Sequence, residues 1–176
     1  MHPRQYTHAG FTLIEAMITV AILAILASIG WPSFRQLMKV NAVRAAAHEV
    51  STDFAYARIT AVNRGLRVVA CPSDGAACNN GREWGHGWII FADANGNGER
   101  DGGEEILAHR QAKNDGLRVV SSQGRPKLRY MPSGMSGGSN LTVSICDGAA
   151  VKSRVIVNNA GRVRSERVAT AMPCPN

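Results

Sequence analysis

The 176-residue sequence lacks the motifs on which most catalytic and phosphate-binding sites depend. It contains no GxSxG, no HExxH and no phosphate-binding glycine loop. Aromatic residues make up 6% and charged residues 19% of the chain, whereas hydrophobic residues make up 45%. This composition excludes a disordered or strongly charged chain. We therefore expect a non-enzymatic protein of one or two domains, with no catalytic residues and no cofactor.

Cysteine is scarce, and no pair has the CxxC spacing of a zinc site. The four cysteines are Cys71, Cys78, Cys146 and Cys174. An even number favours disulfides and an oxidising compartment. Three pairings are possible, of which we favour Cys71–Cys78 across a short turn and Cys146–Cys174 near the C-terminus.

Net charge is missing from the first two thirds of the chain. Residues 1–117 carry eleven basic and eleven acidic side chains, whereas residues 118–176 carry nine basic and two acidic ones, which places the whole +7 there. Such asymmetry indicates a polyanionic partner, either nucleic acid or anionic lipid.

Formal charge is also absent from residues 16–34, which are mainly Ala, Ile, Leu, Met and Val. As a helix this segment spans about 28 Å, enough to cross the core of a bilayer. The polar-to-apolar boundary precedes the segment, at Gly10–Phe11, whereas a secretory signal peptide is cleaved after its apolar run. Glu15 near the start of this helix needs a positive partner, either the helix N-terminus or an amine of a neighbouring subunit.

The segment Gly10-Phe11-Thr12-Leu13-Ile14-Glu15, followed by an apolar helix, resembles the signal of type IV prepilins and type II secretion pseudopilins. The resemblance implies cleavage by a prepilin peptidase after Gly10 and methylation of Phe11. It also implies that Glu15 neutralises a neighbouring subunit's amine during assembly. Residues 1–10 would then be a leader peptide, and residues 11–34 a transmembrane and filament-core helix.

Helical periodicity continues beyond the apolar segment. An apolar stripe recurs at steps of three and four residues: Leu37, Val40, Val43, Ala47, Val50, Phe54, Ala57 and Ala61. We expect residues 35–64 to form an amphipathic continuation of the helix, with a bend at Pro32 and an end at Arg64–Gly65.

The remainder, residues 65–176, is a series of short β-type runs separated by Gly, Asn, Asp or Pro. The predicted strands are 66–71, 87–92, 105–110, 117–121, 127–131, 141–146, 153–157 and 162–168. An antiparallel sheet packed on the amphipathic helix is the expected arrangement. The fold class is therefore α+β, and it agrees with the type IV pilin fold that the resemblance implies.

Three segments resemble the FimT/FimU/GspH-like minor pilins, and FimT-type DNA-uptake pilins most closely. They are residues 87–98, which read GWIIFADANGNG, residues 145–147, and residues 161–164, which read GRVR. The last resembles the GRxR motif of FimT-type pilins, which bind DNA during natural transformation. This resemblance implies that Gly161, Arg162 and Arg164 belong to a DNA-binding site.

The residues around GRVR support the same interpretation. Residues 158–161 have strong turn chemistry, so residues 162–168 are expected to return as a hairpin strand with Arg162 and Arg164 about 6.6 Å apart on one face. Two guanidiniums at this spacing suit backbone phosphates and predict sequence-independent binding. Lys152 and Arg154 join that face if the loop has three residues and not if it has four. Arg167 is a further candidate.

The segment Asp93-x-Asn95-x-Asn97-Gly98-x5-Glu104, with Asp101 at the ninth position, satisfies the EF-hand loop pattern. Its flanks are predicted strands and not helices, and Asn-Gly repeats also suit a polar turn. We favour a plain loop without metal over a calcium site.

Two functions follow from these features. The first is a minor pilin that binds double-stranded extracellular DNA for natural transformation. The alternative is a structural minor pilin or type II secretion pseudopilin that does not bind DNA. Either would be held in the inner membrane by one helix, with its globular domain in the periplasm, before joining other pilins in an extracellular pilus, where it could occupy the tip.

Overall fold

The computed structural model describes residues 12–111, 116–138, 140–170 and 172–175. One helix, α1, runs from Leu13 to Arg64 and continues through Pro32. A capping box starts it: the Glu15 main-chain N–H donates to Thr12 Oγ1 (3.3 Å), and the Thr12 main-chain N–H donates to the Glu15 carboxylate (3.4 Å). Gly65, at φ 63°, follows the last helical residue, as expected of a C-terminal cap.

The chain forms two units, residues 1–39 and residues 40–176. In the first, every described residue is exposed, including large apolar side chains such as Leu23, Leu26 and Ile29. α1 contains a stretch long and apolar enough to cross a membrane, with a mean hydropathy of 2.3, and none of it is buried within the chain. This helix fits a membrane anchor.

The second unit contains the end of α1 and eight strands. These are β1 (Arg67–Pro72), β2 (Gly87–Asp93), β3 (Ile106–Gln111), β4 (Leu117–Ser121), β5 (Leu128–Tyr130), β6 (Leu141–Asp147), β7 (Ala150–Val157) and β8 (Val163–Arg167). They form two antiparallel four-stranded sheets, in the orders β3-β2-β1-β5 and β4-β6-β7-β8. The predicted strands are confirmed to within a few residues. The sequence predicted one antiparallel sheet, whereas the structure has two.

One hydrophobic core joins α1 to a face of each sheet. From α1 it takes the predicted stripe: Val43, Ala47, Val50, Phe54, Ala57 and Ala61, together with Ala46. Leu37 and Val40, which the periodicity also placed in the stripe, are exposed. The core begins at Val43, so residues 35–42 of the predicted amphipathic segment contribute no side chain to it.

A buried carboxylate ties α1 to the first sheet. Asp53 is 2% exposed and accepts two hydrogen bonds from the Arg110 guanidinium, at 2.7 and 2.8 Å, and one from Trp88 Nε1 at 2.9 Å. The hydrogen bond to Asp53 raises the pKa of Arg110 above its usual value. Three donors therefore compensate a charge that would be costly to bury alone.

Candidate nucleic-acid interface

The candidate arginines lie at one edge of the second sheet. β8 is an edge strand, and Val157 of β7 is opposite Val163 of β8, so the connecting loop has five residues, 158–162. The sequence predicted three or four. The reason is that Arg162 belongs to the loop: its main-chain N–H donates to Asn158 Oδ1 (2.9 Å), and its carbonyl accepts from the Asn158 N–H (3.2 Å).

The five-residue loop decides which side chains share a face. Directly opposed residues of an antiparallel pair point to the same side, and Arg164 is opposite Ile156 while Glu166 is opposite Arg154. By alternation, Lys152 and Arg154 lie on the same face as Arg164. An odd loop length thus places Arg164 on the face of Lys152 and Arg154, as the three-residue alternative did, although by a different register, while Arg162 stays in the adjoining loop.

Lys152 lies at an irregularity of β7. Ser153 is opposite Ile145 and Val151 is opposite Cys146, so Lys152 has no directly opposed residue in β6. Its side chain is exposed, and its carbonyl accepts from the Val168 N–H at 3.1 Å. A bulge of this kind increases the local twist of the strand.

An acidic residue interrupts the basic face. Glu166 lies between two arginines, with one oxygen 2.5 Å from Arg154 Nη2 and the other 4.0 Å from Arg164 Nη2. Arg154 is two-thirds buried, whereas the Arg164 side chain is 70% exposed. Arg154 is therefore already paired, whereas Arg162 and Arg164 are exposed to solvent.

Arg167 does not share the face of Arg164. It is opposite Ser153, whose side chain is buried and which belongs to the core-facing alternation of β7. Arg167 is nevertheless exposed, on an edge strand. The expectation that Arg167 belongs with the other candidates is not supported by this register.

Gly161 has a structural role that the sequence did not reveal. Its φ is 75°, and a Cβ there would lie 2.0 Å from the carbonyl oxygen of Gly134. Only glycine fits this conformation and this close approach without strain. The Gly161 carbonyl accepts a hydrogen bond from the Tyr130 hydroxyl (3.3 Å). Burial raises the pKa of Tyr130 above its usual range, and the nearby charge of Arg58 opposes that rise.

Arg58 of α1 fixes the position of the loop 158–162. Its guanidinium donates from Nε to the Gly134 carbonyl (2.9 Å) and from Nη2 to the Ala160 carbonyl (3.1 Å). The loop 158–162 is thereby fixed to the helix and to the turn around Gly134. A fixed loop presents Arg162 and Arg164 with less loss of conformational entropy on binding.

The structure contains both disulfides that we favoured. Cys71–Cys78 spans a Cα–Cα distance of 5.6 Å, and Cys146–Cys174 spans 5.9 Å. The second ties the C-terminal tail beside β7, where the Val151 N–H donates to the Met172 carbonyl (2.9 Å). Met172 Sδ lies 3.9 Å from Arg154 Nη1, so this tail borders the basic face.

The candidate calcium-loop residues also come together. Asp93 ends β2, and Asn95, Asn97, Asp101 and Glu104 lie in the loop before β3. The Nδ2 atoms of Asn95 and Asn97 are 2.6 and 3.0 Å from Asp101 Oδ2. Of the assembly residues, Glu15 caps α1, and Gly10 and Phe11 lie outside the described residues.

Comparison with known proteins identifies the family. Residues 46–161 match the family described as "Type II transport protein GspH", and residues 7–31 match the prokaryotic N-terminal methylation motif. The chain belongs to the GspH family. The matched range covers most of the core-forming part of α1 and strands β1 to β7, and it ends before Arg162 and β8.

Individual relatives agree with that assignment. The pilin-like protein PilA1 of Thermus thermophilus is 28% identical over 172 residues, covering 91% of this chain and 99% of that protein. The type IV minor pilin FimU of Pseudomonas aeruginosa superposes with a TM-score of 0.57, at 19% identity, over 77% of this chain and 96% of that one. The minor pseudopilin EpsH of the Vibrio cholerae type II secretion system gives 0.53, at 11% identity, over 72% and 97%.

The GspH-family assignment confirms several expectations. The protein is a minor pilin or pseudopilin of the GspH/FimU kind, with a long N-terminal helix packed on antiparallel sheets. Proteins of this kind are structural subunits and not enzymes. The methylation motif implies a prepilin peptidase and other pilins as partners, and the single apolar helix fits a membrane-anchored pilin.

Proposed function

We propose that this GspH-family protein is a minor pilin that binds double-stranded DNA for uptake in natural transformation. The observation that carries the proposal is the pair Arg162 and Arg164, exposed on an edge strand and its loop, with the loop fixed to α1 by Arg58. Similarity to FimT-type pilins remains a prediction on which the biological role depends.

The chemistry of this face suits a phosphate backbone. Arginine keeps its charge at all relevant pH values and offers a planar fork of donors to phosphate oxygens. Strands β7 and β8 contain no aromatic side chain on which bases could stack, so the proposed binding rests on charge and is largely independent of sequence. Gly161 sets the loop conformation, while Lys152 and Arg154 flank the contact.

The processing and placement of the chain complete the proposal. Cleavage after Gly10 and methylation of Phe11 would precede assembly, and Glu15 would pair with a neighbouring subunit's amine. The globular unit would face the periplasm before assembly and the exterior afterwards, at the pilus tip or along its length.

The decisive experiment measures DNA affinity as a function of salt. Full-length protein in detergent micelles is titrated into unrelated fluorescent duplexes at 50–200 mM salt. Replacing Arg162 and Arg164 by Gln should flatten the log–log salt slope by roughly 1.8, because each neutralised phosphate contributes about 0.9. Transformation should fall in cells carrying this variant while pili still form.

The matched control replaces Arg44 and Arg64, two exposed arginines of α1, by Gln. It removes the same charge from outside the proposed face. Equal weakening by both double variants would leave only diffuse electrostatic attraction. An unchanged salt slope in both, or no binding by the natural chain, would favour the alternative of a structural minor pilin or pseudopilin. Arg58 is unsuitable as a control because it holds the Ala160 carbonyl.

A further inference from the structure

The loop between β2 and β3 begins at a buried carboxylate, one oxygen of which has no hydrogen-bond partner. Asp93 is 1% exposed, and its Oδ2 accepts a hydrogen bond from the Gly98 N–H at 3.2 Å. Its other carboxylate oxygen, Oδ1, is buried and has no hydrogen-bond partner. A buried carboxylate oxygen without a partner costs free energy unless a cation or water compensates it. Because Oδ2 is bonded at the middle of the loop, the carboxylate faces the loop interior.

The loop repeats the order of an EF-hand loop. Asp93 is position one, Asn95 three, Asn97 five, Asp101 nine and Glu104 twelve, and Gly98 stands at position six, where a sharp turn requires glycine. Gly98 has φ 74°. Calcium-binding loops of this type supply oxygen ligands from these positions and from the main-chain carbonyl at position seven, here Glu99.

The side chains of these positions are already gathered. Asn95 Oδ1 accepts from the Asn97 N–H (3.0 Å), and Asn97 Oδ1 accepts from the Glu99 N–H (2.7 Å). Each amide oxygen has a second lone pair that remains for a cation. Both amide nitrogens donate to Asp101 Oδ2, so the side chains of positions three, five and nine are neighbours, with each amide oxygen turned to a main-chain N–H.

Glu104 closes the same loop. Its two carboxylate oxygens accept from the Ala94 N–H (2.9 Å) and the Asp101 N–H (3.1 Å), which leaves further lone pairs on both. Within the described residues, His, Cys, Asp and Glu side chains by themselves make no group of three able to hold a metal ion. The ligand set therefore depends on the oxygens of Asn95 and Asn97 as well as on the carboxylates.

Positive side chains set an upper limit on affinity. Lys127 Nζ donates to the Gly98 carbonyl (2.9 Å) and the Glu99 carboxylate (2.5 Å), so the Glu99 side chain is neutralised. The Arg67 guanidinium lies against Gly96.

From these contacts, we propose that the Asp93–Glu104 loop binds one Ca²⁺, with Asp93, Asn95, Asn97, Asp101, Glu104 and the Glu99 carbonyl as its ligands. The affinity belongs to the range of extracellular calcium modules, with a Kd of about 10⁻⁴–10⁻³ M.

The test titrates CaCl₂ into full-length, EDTA-treated protein in detergent micelles and measures heat and thermal unfolding. We expect one Ca²⁺ per chain and a higher Tm with calcium, because a ligand of the folded state stabilises it. MgCl₂ should bind more weakly, since Mg²⁺ demands a tighter octahedral shell. Absence of both heat and a Tm rise at 10 mM CaCl₂, ~10-fold above the weak end of that range, overturns the proposal, as does equal binding of Mg²⁺.

Glu104→Gln should raise the Kd for calcium at least about tenfold, because affinity follows the number of charged ligands. The matched control is Glu105→Gln, the neighbouring carboxylate, which pairs with Arg64 at 2.6 Å and is not a proposed ligand. It should bind calcium as the natural chain does. Equal losses in both variants overturn the assignment of ligands. If Glu104→Gln does not fold in EDTA, Asp101→Asn takes its place with the same expectation.

Discussion

Glu166 offers a sharp test of the proposed DNA contact, because its carboxylate pairs with arginines of the proposed face and would compete with phosphate for them. It lies 2.5 Å from Arg154 and 4.0 Å from Arg164. On the proposed face it acts as an internal anion that DNA must displace or tolerate. Replacing it by Gln keeps the side-chain shape, removes the competing charge and releases Arg154.

The expected gain can be worked from the geometry. The ion pair that is lost is partly exposed and contributes roughly 0.2–1 kcal/mol. Removing the carboxylate also removes its repulsion of phosphate. Because both effects favour DNA, the affinity for DNA at 50 mM salt should rise about three- to tenfold. If Arg154 takes up one more phosphate, the salt slope steepens by about 0.9, and the advantage shrinks about 3.5-fold between 50 and 200 mM.

The assay is fluorescence anisotropy on one labelled duplex over that salt series. Glu105→Gln is the matched control, because it also removes one carboxylate paired with an arginine, Arg64, and changes net charge equally. Tighter binding confined to Glu166→Gln supports a local site at Arg154 and Arg164. Equal gains in both variants indicate a diffuse charge effect, and unchanged or weaker binding by Glu166→Gln refutes the reasoning.

Three further predictions concern assembly and stability. Glu15→Ala should block incorporation into filaments while still allowing insertion into the membrane. Immunoblots of sheared pili and of membranes measure the two steps. Normal incorporation contradicts the pairing of Glu15 with a neighbouring subunit's amine. Replacing Cys146 and Cys174 by Ser should lower the free energy of unfolding in urea by about 3–4 kcal/mol, because that disulfide joins residues 28 positions apart and restricts the unfolded chain. An unchanged free energy of unfolding contradicts this restriction. Asp53→Asn should lower the free energy of unfolding, followed by tryptophan fluorescence, by about 2–3 kcal/mol. This is less than the loss expected for a fully buried ion pair, because the Arg110 side chain is 44% exposed. A loss below about 0.5 kcal/mol contradicts the structural role of Asp53.

Local patterns in the sequence were enough to predict the helix and all eight strands. Apolar residues such as Val50, Phe54 and Ala57 recur at the helical period, and turn residues separate the β-type runs, so each element is specified by its own neighbourhood. The partition of the strands between two sheets was not predictable in this way. β1 pairs with β5 across the first sheet, and β4 with β6 in the second, and such choices depend on packing between distant segments.

The details of the candidate site depended on contacts at long range. Arg58 reaches Gly134 and Ala160 across 76 and 102 positions of sequence, and no local pattern indicates either contact. The hairpin register was also undetermined, because Asn-Asn-Ala-Gly suits loops of several lengths. One signal was available and missed: the i, i+2 spacing of Arg164 and Glu166 already placed an acid on the predicted basic face.

The two parts of the GRVR segment therefore carry different weight as indications of DNA binding. Gly161 is required by the fold itself, since its φ of 75° and its approach to the Gly134 carbonyl exclude a side chain whether or not DNA binds. The structure places no comparable demand on the side chains of Arg162 and Arg164, which are exposed and make no core contact. A GspH-family subunit with this loop could keep the glycine for stability and vary the arginines without cost to its fold. Under the proposed function, the arginine pair and not the glycine would therefore distinguish a DNA-binding subunit from a purely structural one.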